Sequence, residues 1–240
     1  MLRELDRNIW VAEQPFRYFG LSVGTRMTVI RLANQDLAVI SPIQVDDETK
    51  DQLYALGTVK HIIAPNLYHY LFSTSFKVLC PDAVFWAVPG LKAKKPELPI
   101  DNIIGVTDSS LWEELKFLFF DGVKTFGLGS TGLLNECVFF HAASRTLILT
   151  DTAFHFDESF PLATQLVTKT FGGYKSLSPT FLERIATTEK EKVKTSAEQI
   201  LSWDFERVIM AHGSIVEQNG KKKFQQGYEQ FLRQSLNAAV

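Results

Sequence analysis

Apolar runs rich in β-branched and aromatic residues fall into two clusters along this chain, and each cluster gives way to helical sequence. That order limits the fold more than any other feature. The first cluster holds residues 9–12, 27–32 and 37–40, with Ala33-Asn34-Gln35-Asp36 between the last two. Asn and Asp between β-branched runs are hairpin residues, so a meander is expected to open the fold. Asp46 or Asp47 then caps a helix reaching Leu56, with Gly57 as its left-handed stop, and residues 59–63 form a buried strand. A helix over about 69–78 and a strand over 83–88, ended by Pro89-Gly90, complete this half. The second cluster reads as strands over 116–120, 123–126, 137–141 and 146–150, with Asp121-Gly122 as a tight hairpin turn. Helices are expected over 160–171, 179–185 and 196–203, then a strand over 207–210 and a last helix over 222–236. The pattern predicts an α/β (α+β) protein in which two sheets pack face to face with helices outside, an αββα sandwich of four layers.

The 240 residues contain no Ser/Gly/Pro-rich linker and no internal repeat, so a single domain over 1–240 is expected. With 45% apolar and 22% charged residues the chain is an ordinary globular one, and its 19 phenylalanines supply bulk for a dry core. A net charge of −2 gives no field that would recruit nucleic acid or an anionic membrane. The charge-alternating start, Met1-Leu2-Arg3-Glu4-Leu5-Asp6-Arg7, is no secretory leader, and no apolar run approaches spanning length. Cys80 and Cys137 have no metal-ligand spacing and read as reduced and buried. A cytoplasmic protein is the expectation.

Metal chemistry would have to be built from His61, His69, His141, His155 and His212 together with carboxylates. Three strand ends place a ligand type. Asn66 and His69 follow the strand ending at Ile63, Asp151 follows residues 146–150, and His212 follows residues 208–211. Loops after strand ends are where layered α/β proteins hold reactive side chains. Two imidazoles and a carboxylate suffice for a mononuclear site.

Residues 137–151, the ending Phe205-Glu206-Arg207-Val208-Ile209-Met210-Ala211-His212-Gly213 and the opening meander resemble the metallo-β-lactamase fold superfamily. More narrowly, residues 64–69, Val88-Pro89-Gly90-Leu91 and 136–151 resemble an uncharacterised branch, a domain of unknown function. The resemblance implies a first metal motif His-x-His-x-Asp-His, which falls on Ala64, Asn66, Tyr68 and His69, so only its last ligand is present. It implies that Asp151 is the carboxylate that usually bridges two metals and His212 the late histidine of the second. The intermediate histidine, expected between about Gly127 and Glu136, is missing, and Tyr68 replaces the aspartate that would orient the attacking water. What remains is His69, Asp151 and His212, with Asn66, His155 and Glu136 as additional candidates.

Plainer roles compete for each residue. Pro65-Asn66 makes a turn on its own, Asp151 can cap the next segment, and His212 can bond to loop carbonyls. His61 and His141 lie within strands and read as packed. The stretch 127–132 lacks the Lys-Ser/Thr ending of a phosphate loop and reads as a flexible loop, and Ser130 is in no nucleophile elbow. The runs 189–194 and 221–223 read as solvated surface. With that resemblance, the expectation is a mononuclear hydrolase or other metal-dependent enzyme using one divalent ion, zinc, iron or manganese. The alternative is a non-catalytic protein that has lost the dinuclear site and whose pocket binds a small molecule or a protein, so the metal count is one or none. A small molecule is the expected partner, no nucleic acid or membrane is, and a homo-oligomer stays open.

Overall fold

The structure is a computed structural model that describes residues 1–127 and 130–239. The chain begins with β1 (Arg3–Asp6), β2 (Ile9–Gln14), β3 (Arg17–Tyr18), β4 (Leu21–Ser22), β5 (Thr25–Arg31) and β6 (Asp36–Ile40). Helix α1 (Asp47–Leu56), β7 (Thr58–Ala64), α2 (Ser73–Leu79), β8 (Val84–Ala87), α3 (Leu91–Lys94), β9 (Asn102–Ile103) and α4 (Leu111–Glu114) follow. Next come β10 (Leu115–Phe120), β11 (Lys124–Gly127), β12 (Ser130–Leu133), β13 (Glu136–His141) and β14 (Thr146–Ile148). The remainder is α5 (Leu162–Phe171), α6 (Phe181–Ala186), α7 (Lys190–Leu201), β15 (Arg207–Ile209) and α8 (Gly220–Leu232). These elements form two compact units, Met1–Pro15 with Gly24–Leu115 and Phe16–Val23 with Lys116–Val240. Among the described residues no helix is long and apolar enough to cross a membrane.

The first unit is built on a sheet of order β1-β2-β5-β6-β7-β8-β9. From β1 to β6 neighbours in this sheet are antiparallel, with the β3–β4 pair inserted between β2 and β5, and the expected meander is present. From β6 to β9 they are parallel, with α1 and α2 inside the first two crossovers. Asp46 caps α1 by accepting the Thr49 N–H at 2.8 Å. Gly57 ends that helix for a reason other than the one the sequence suggests. Its backbone (φ 158°, ψ −167°) lies outside the left-handed helical region, in one that essentially only glycine adopts, and a Cβ there would lie 2.3 Å from the Gln35 carbonyl oxygen. Helix α2 starts at Ser73, later than expected, since residues 66–72 form turns after β7.

In the second unit the main sheet has the order β10-β13-β14-β15. Strands β13 and β14 are antiparallel, β14 and β15 parallel. Asp121-Gly122 is not a hairpin turn: β10 lies beside β13, while β11 pairs with β12. The dipeptide instead turns a corner beneath α7. The Ser196 hydroxyl accepts the Asp121 N–H at 3.0 Å, and a Cβ on Gly122 would come 2.8 Å from the Glu189 carbonyl oxygen. Within the stretch read as a flexible loop, Gly127 and residues 130–132 belong to the β11–β12 pair, and residues 128 and 129 lie outside the described ones. Helix α7 begins at Lys190, so the mixed-charge run forms its first turns, with Lys192 bonded to Glu189 at 2.7 Å. Helix α8 buries Phe224, Tyr228 and Phe231, an i, i+4, i+7 stripe, and exposes Lys222 and Lys223. At the start of α6 the Glu183 carboxylate accepts both the Thr180 N–H, at 2.9 Å, and the Thr180 hydroxyl. Both thiols are buried and unbridged, as the sequence suggests, and burial raises the pKa of each.

Candidate metal centre

The second unit brings Asp151 and His212 together through strand register. Ile148 of β14 pairs with Ile209 of the parallel β15, and the Leu149 N–H continues the ladder to the Ile209 carbonyl at 2.8 Å. Asp151 and His212 each stand three residues beyond that pair, on the same sheet edge. His212 Nε2 lies 3.5 Å from Asp151 Oδ1, with the two side chains 12% and 18% exposed. That separation is longer than the roughly 2.7–3.2 Å of an ordinary N–H···O bond. It matches the edge of a tetrahedron around a metal ion, roughly 3.3–3.6 Å for ligand bonds of about 2.0–2.2 Å. The donor set and its spacing fit a divalent cation.

Packing fixes the imidazole of His212. It is flanked by the rings of Phe16 at 5.8 Å and Phe154 at 6.4 Å, both within 27° of parallel. Gly213 follows with φ +82°, and a Cβ there would lie 2.2 Å from the His155 carbonyl oxygen. The close approach lets the Ser214 N–H reach that carbonyl at 2.6 Å. His155, the additional candidate, is thus tied to this loop by its backbone. Its Nδ1 lies 3.3 Å from the Ser214 carbonyl, and burial, then the charge of Lys223, lower its pKa below the usual imidazole value.

Glu136 begins β13, opposite the end of β14. Its Oε1 accepts the Thr150 N–H at 2.7 Å and the Thr152 hydroxyl at 2.8 Å, and its Oε2 accepts the Asp151 N–H at 2.7 Å. Fully buried, its carboxyl has a raised pKa, first from burial and then from the charge of Asp151.

His69 belongs to the first unit, in the turns after β7. Asn66, fully buried, shapes that turn: its Oδ1 accepts the Tyr68 and His69 N–H groups, each at 2.8 Å. The His69 Nδ1 lies 2.7 Å from the hydroxyl of Ser41, just past β6, where the backbone is left-handed (φ 53°). Tyr68 carries a cation on its face. The Lys94 ammonium sits 3.8 Å from the ring centroid and donates to the Leu67 carbonyl at 2.8 Å. Burial and the neighbouring Lys95 lower the pKa of Lys94.

The remaining histidines are packed. His61 accepts the Trp86 indole N–H at 3.1 Å, and the His141 Nδ1 lies 2.8 Å from the Ser144 hydroxyl. Ser41, Phe16, Phe154 and Tyr228 were not singled out by sequence reasoning. Each makes its contact, Tyr228 with the Thr152 carbonyl, across a long stretch of chain, and no local pattern marks it.

The fold is of the metallo-β-lactamase-like α/β class. A metallo-β-lactamase from Erythrobacter litoralis matches with a TM-score of 0.65 at 10% identity, covering 95% of this chain and 96% of that one. One from Pontibacter korlensis matches at 0.63 and 11%, covering 97% and 98%. The FIM-1 enzyme from Pseudomonas aeruginosa, solved in a mono-zinc form, matches at 0.64 and 10%, covering 97% and 94%. Within that fold the chain belongs to the domain of unknown function DUF4336, whose family model matches residues 6–177. A search of the curated proteins finds no match.

Proposed function

We propose that the chain holds a single divalent cation through His69, Asp151 and His212 and acts as a metal-dependent hydrolase. The observation that carries this reading is the 3.5 Å spacing of Asp151 and His212 at matched strand ends. His69 supplies the third ligand through Nε2, while Ser41 holds its Nδ1 and sets the ring's direction. A neutral nitrogen pair with one carboxylate suits zinc, iron(II) or manganese. A cation bound there supplies Lewis acidity toward water and toward the oxygen of a scissile carbonyl or phosphoryl group. Phe16 and Phe154 pack against the His212 ring and restrict its orientation. The resemblance puts Tyr68, whose ring face carries the Lys94 ammonium, at the motif position where a second metal would need an aspartate. The reading is therefore mononuclear.

The second reading, a non-catalytic binding protein, is favoured by Tyr68, which is no carboxylate base. Purified protein loaded with zinc or manganese and offered phosphodiester, thioester, lactone and β-lactam substrates tests the choice. Turnover that needs the metal and disappears in Asp151→Asn supports the hydrolase. Bound metal with no turnover of any class supports the binding protein.

A further inference from the structure

Residues 150–152 are held from two sides by buried groups. Phe139 pairs with Ile148 across β13 and β14, so continuing that register sets Glu136 opposite Asp151. From there the Glu136 carboxylate takes the Thr150 and Asp151 N–H groups and the Thr152 hydroxyl. From α8 the fully buried Tyr228 donates its hydroxyl to the Thr152 carbonyl at 2.6 Å. A carboxylate with no exposure is costly to bury unless its oxygens are well used, and holding an ordinary turn does not require one. Burying it beside Asp151 adds like-charge repulsion. The cost is concentrated on a segment that carries a candidate ligand, Asp151.

We propose that Glu136, backed by Tyr228, is the positioning residue of the metal centre: it acts through the backbone of residues 150–152 to aim the Asp151 carboxylate at the metal instead of binding the metal itself. Its functional consequence rests on the reading of Asp151 and His212 as ligands; its structural part does not.

The test uses the full chain with Glu136→Gln, and Phe205→Leu as a control of ordinary core loss in the same unit. Two quantities are read: zinc affinity, and amide hydrogen exchange at Thr150 and Asp151 in metal-free protein. Glu136→Gln is expected to weaken zinc by about 10–100-fold and to speed exchange at both amides by at least about tenfold relative to Val208, each in excess of Phe205→Leu. Zinc binding weakened no more than in Phe205→Leu overturns the positioning role. If wild-type protein takes up no zinc, the metal reading fails, and exchange alone decides: unchanged protection at Thr150 and Asp151 overturns the clamp. Should Glu136→Gln not fold, Thr152→Val removes one of the three donors and is read the same way, with changes of the same sign expected and their absence overturning the proposal.

Discussion

Asp151 and His212 stand 3.5 Å apart because each lies three residues beyond Ile148 and Ile209, partners in one parallel pair. Equal chain lengths leaving adjacent parallel strands arrive at the same height above the sheet edge, so register alone brings the carboxylate to the imidazole. The residues around them then fix orientation. Rings flank His212, and the Glu136 carboxylate holds the backbone of Asp151.

The Ser41 hydroxyl on His69 Nδ1 gives the first prediction. A metal-bound imidazole is aimed by the partner of its other nitrogen, and losing that partner typically costs about 10–100-fold in metal affinity. Ser41→Ala is expected to weaken zinc binding by that factor while one metal per chain is still reached at saturation. Titration calorimetry reads both. Unchanged affinity would show that His69 is not a ligand.

Gly213 carries two constraints, of which Gly20 has only one. Its φ is +82° and a Cβ would meet the His155 carbonyl at 2.2 Å, whereas Gly20 has φ +80° with nothing within 4 Å. Gly20→Ala is expected to cost about 1 kcal/mol of backbone strain, or about 2–4 °C in Tm for a chain of this size. Gly213→Ala adds a clash with backbone and is expected to lower Tm by at least about 6 °C. Equal losses in thermal melts would contradict the geometry.

His61 supplies a pH dependence. Burial, the larger cause, and then Lys60 lower its pKa below the ordinary 6.5, against a raising pull from Asp36. Between the lowered folded value and 6.5 the unfolded chain binds more protons, so stability is lost as pH falls below about 6.5. Protonation would also place a proton on the nitrogen that accepts the Trp86 N–H. His61→Gln, which keeps an acceptor and cannot titrate, is expected to show a shallower fall in Tm between pH 7 and 5. A steeper fall would reverse the assigned sign.

Much of this arrangement is legible in local sequence. The Asn34–Asp36 turn, the Asp46 cap and the last helix each depend on residues a few positions apart, and each appears close to where expected. Asp121-Gly122 misleads because hairpin chemistry specifies a turn without naming the strand it delivers, and β13 takes the place beside β10. Gly57 misleads for a similar reason: its constraint is the Gln35 carbonyl, from a different turn. At the candidate centre, Asp151 and His212 could be read from their places after strands. Their shared register could not, because it is set by pairing between segments some 60 residues apart. Glu136 shows the same limit. Its residue type suggests a ligand, and only the three donors facing it reveal what its oxygens do.

The central claim is one divalent cation on His69, Asp151 and His212, and metal stoichiometry tests it most directly. Metal-stripped protein would be titrated with zinc and the bound metal measured by mass spectrometry under non-denaturing conditions, for the wild type and for His69→Ala, Asp151→Ala and His212→Ala. The account predicts one zinc per wild-type chain and a loss of at least about 100-fold in affinity for each variant. Absence of bound zinc, two zinc ions per chain, or variants that bind as tightly as the wild type would contradict it.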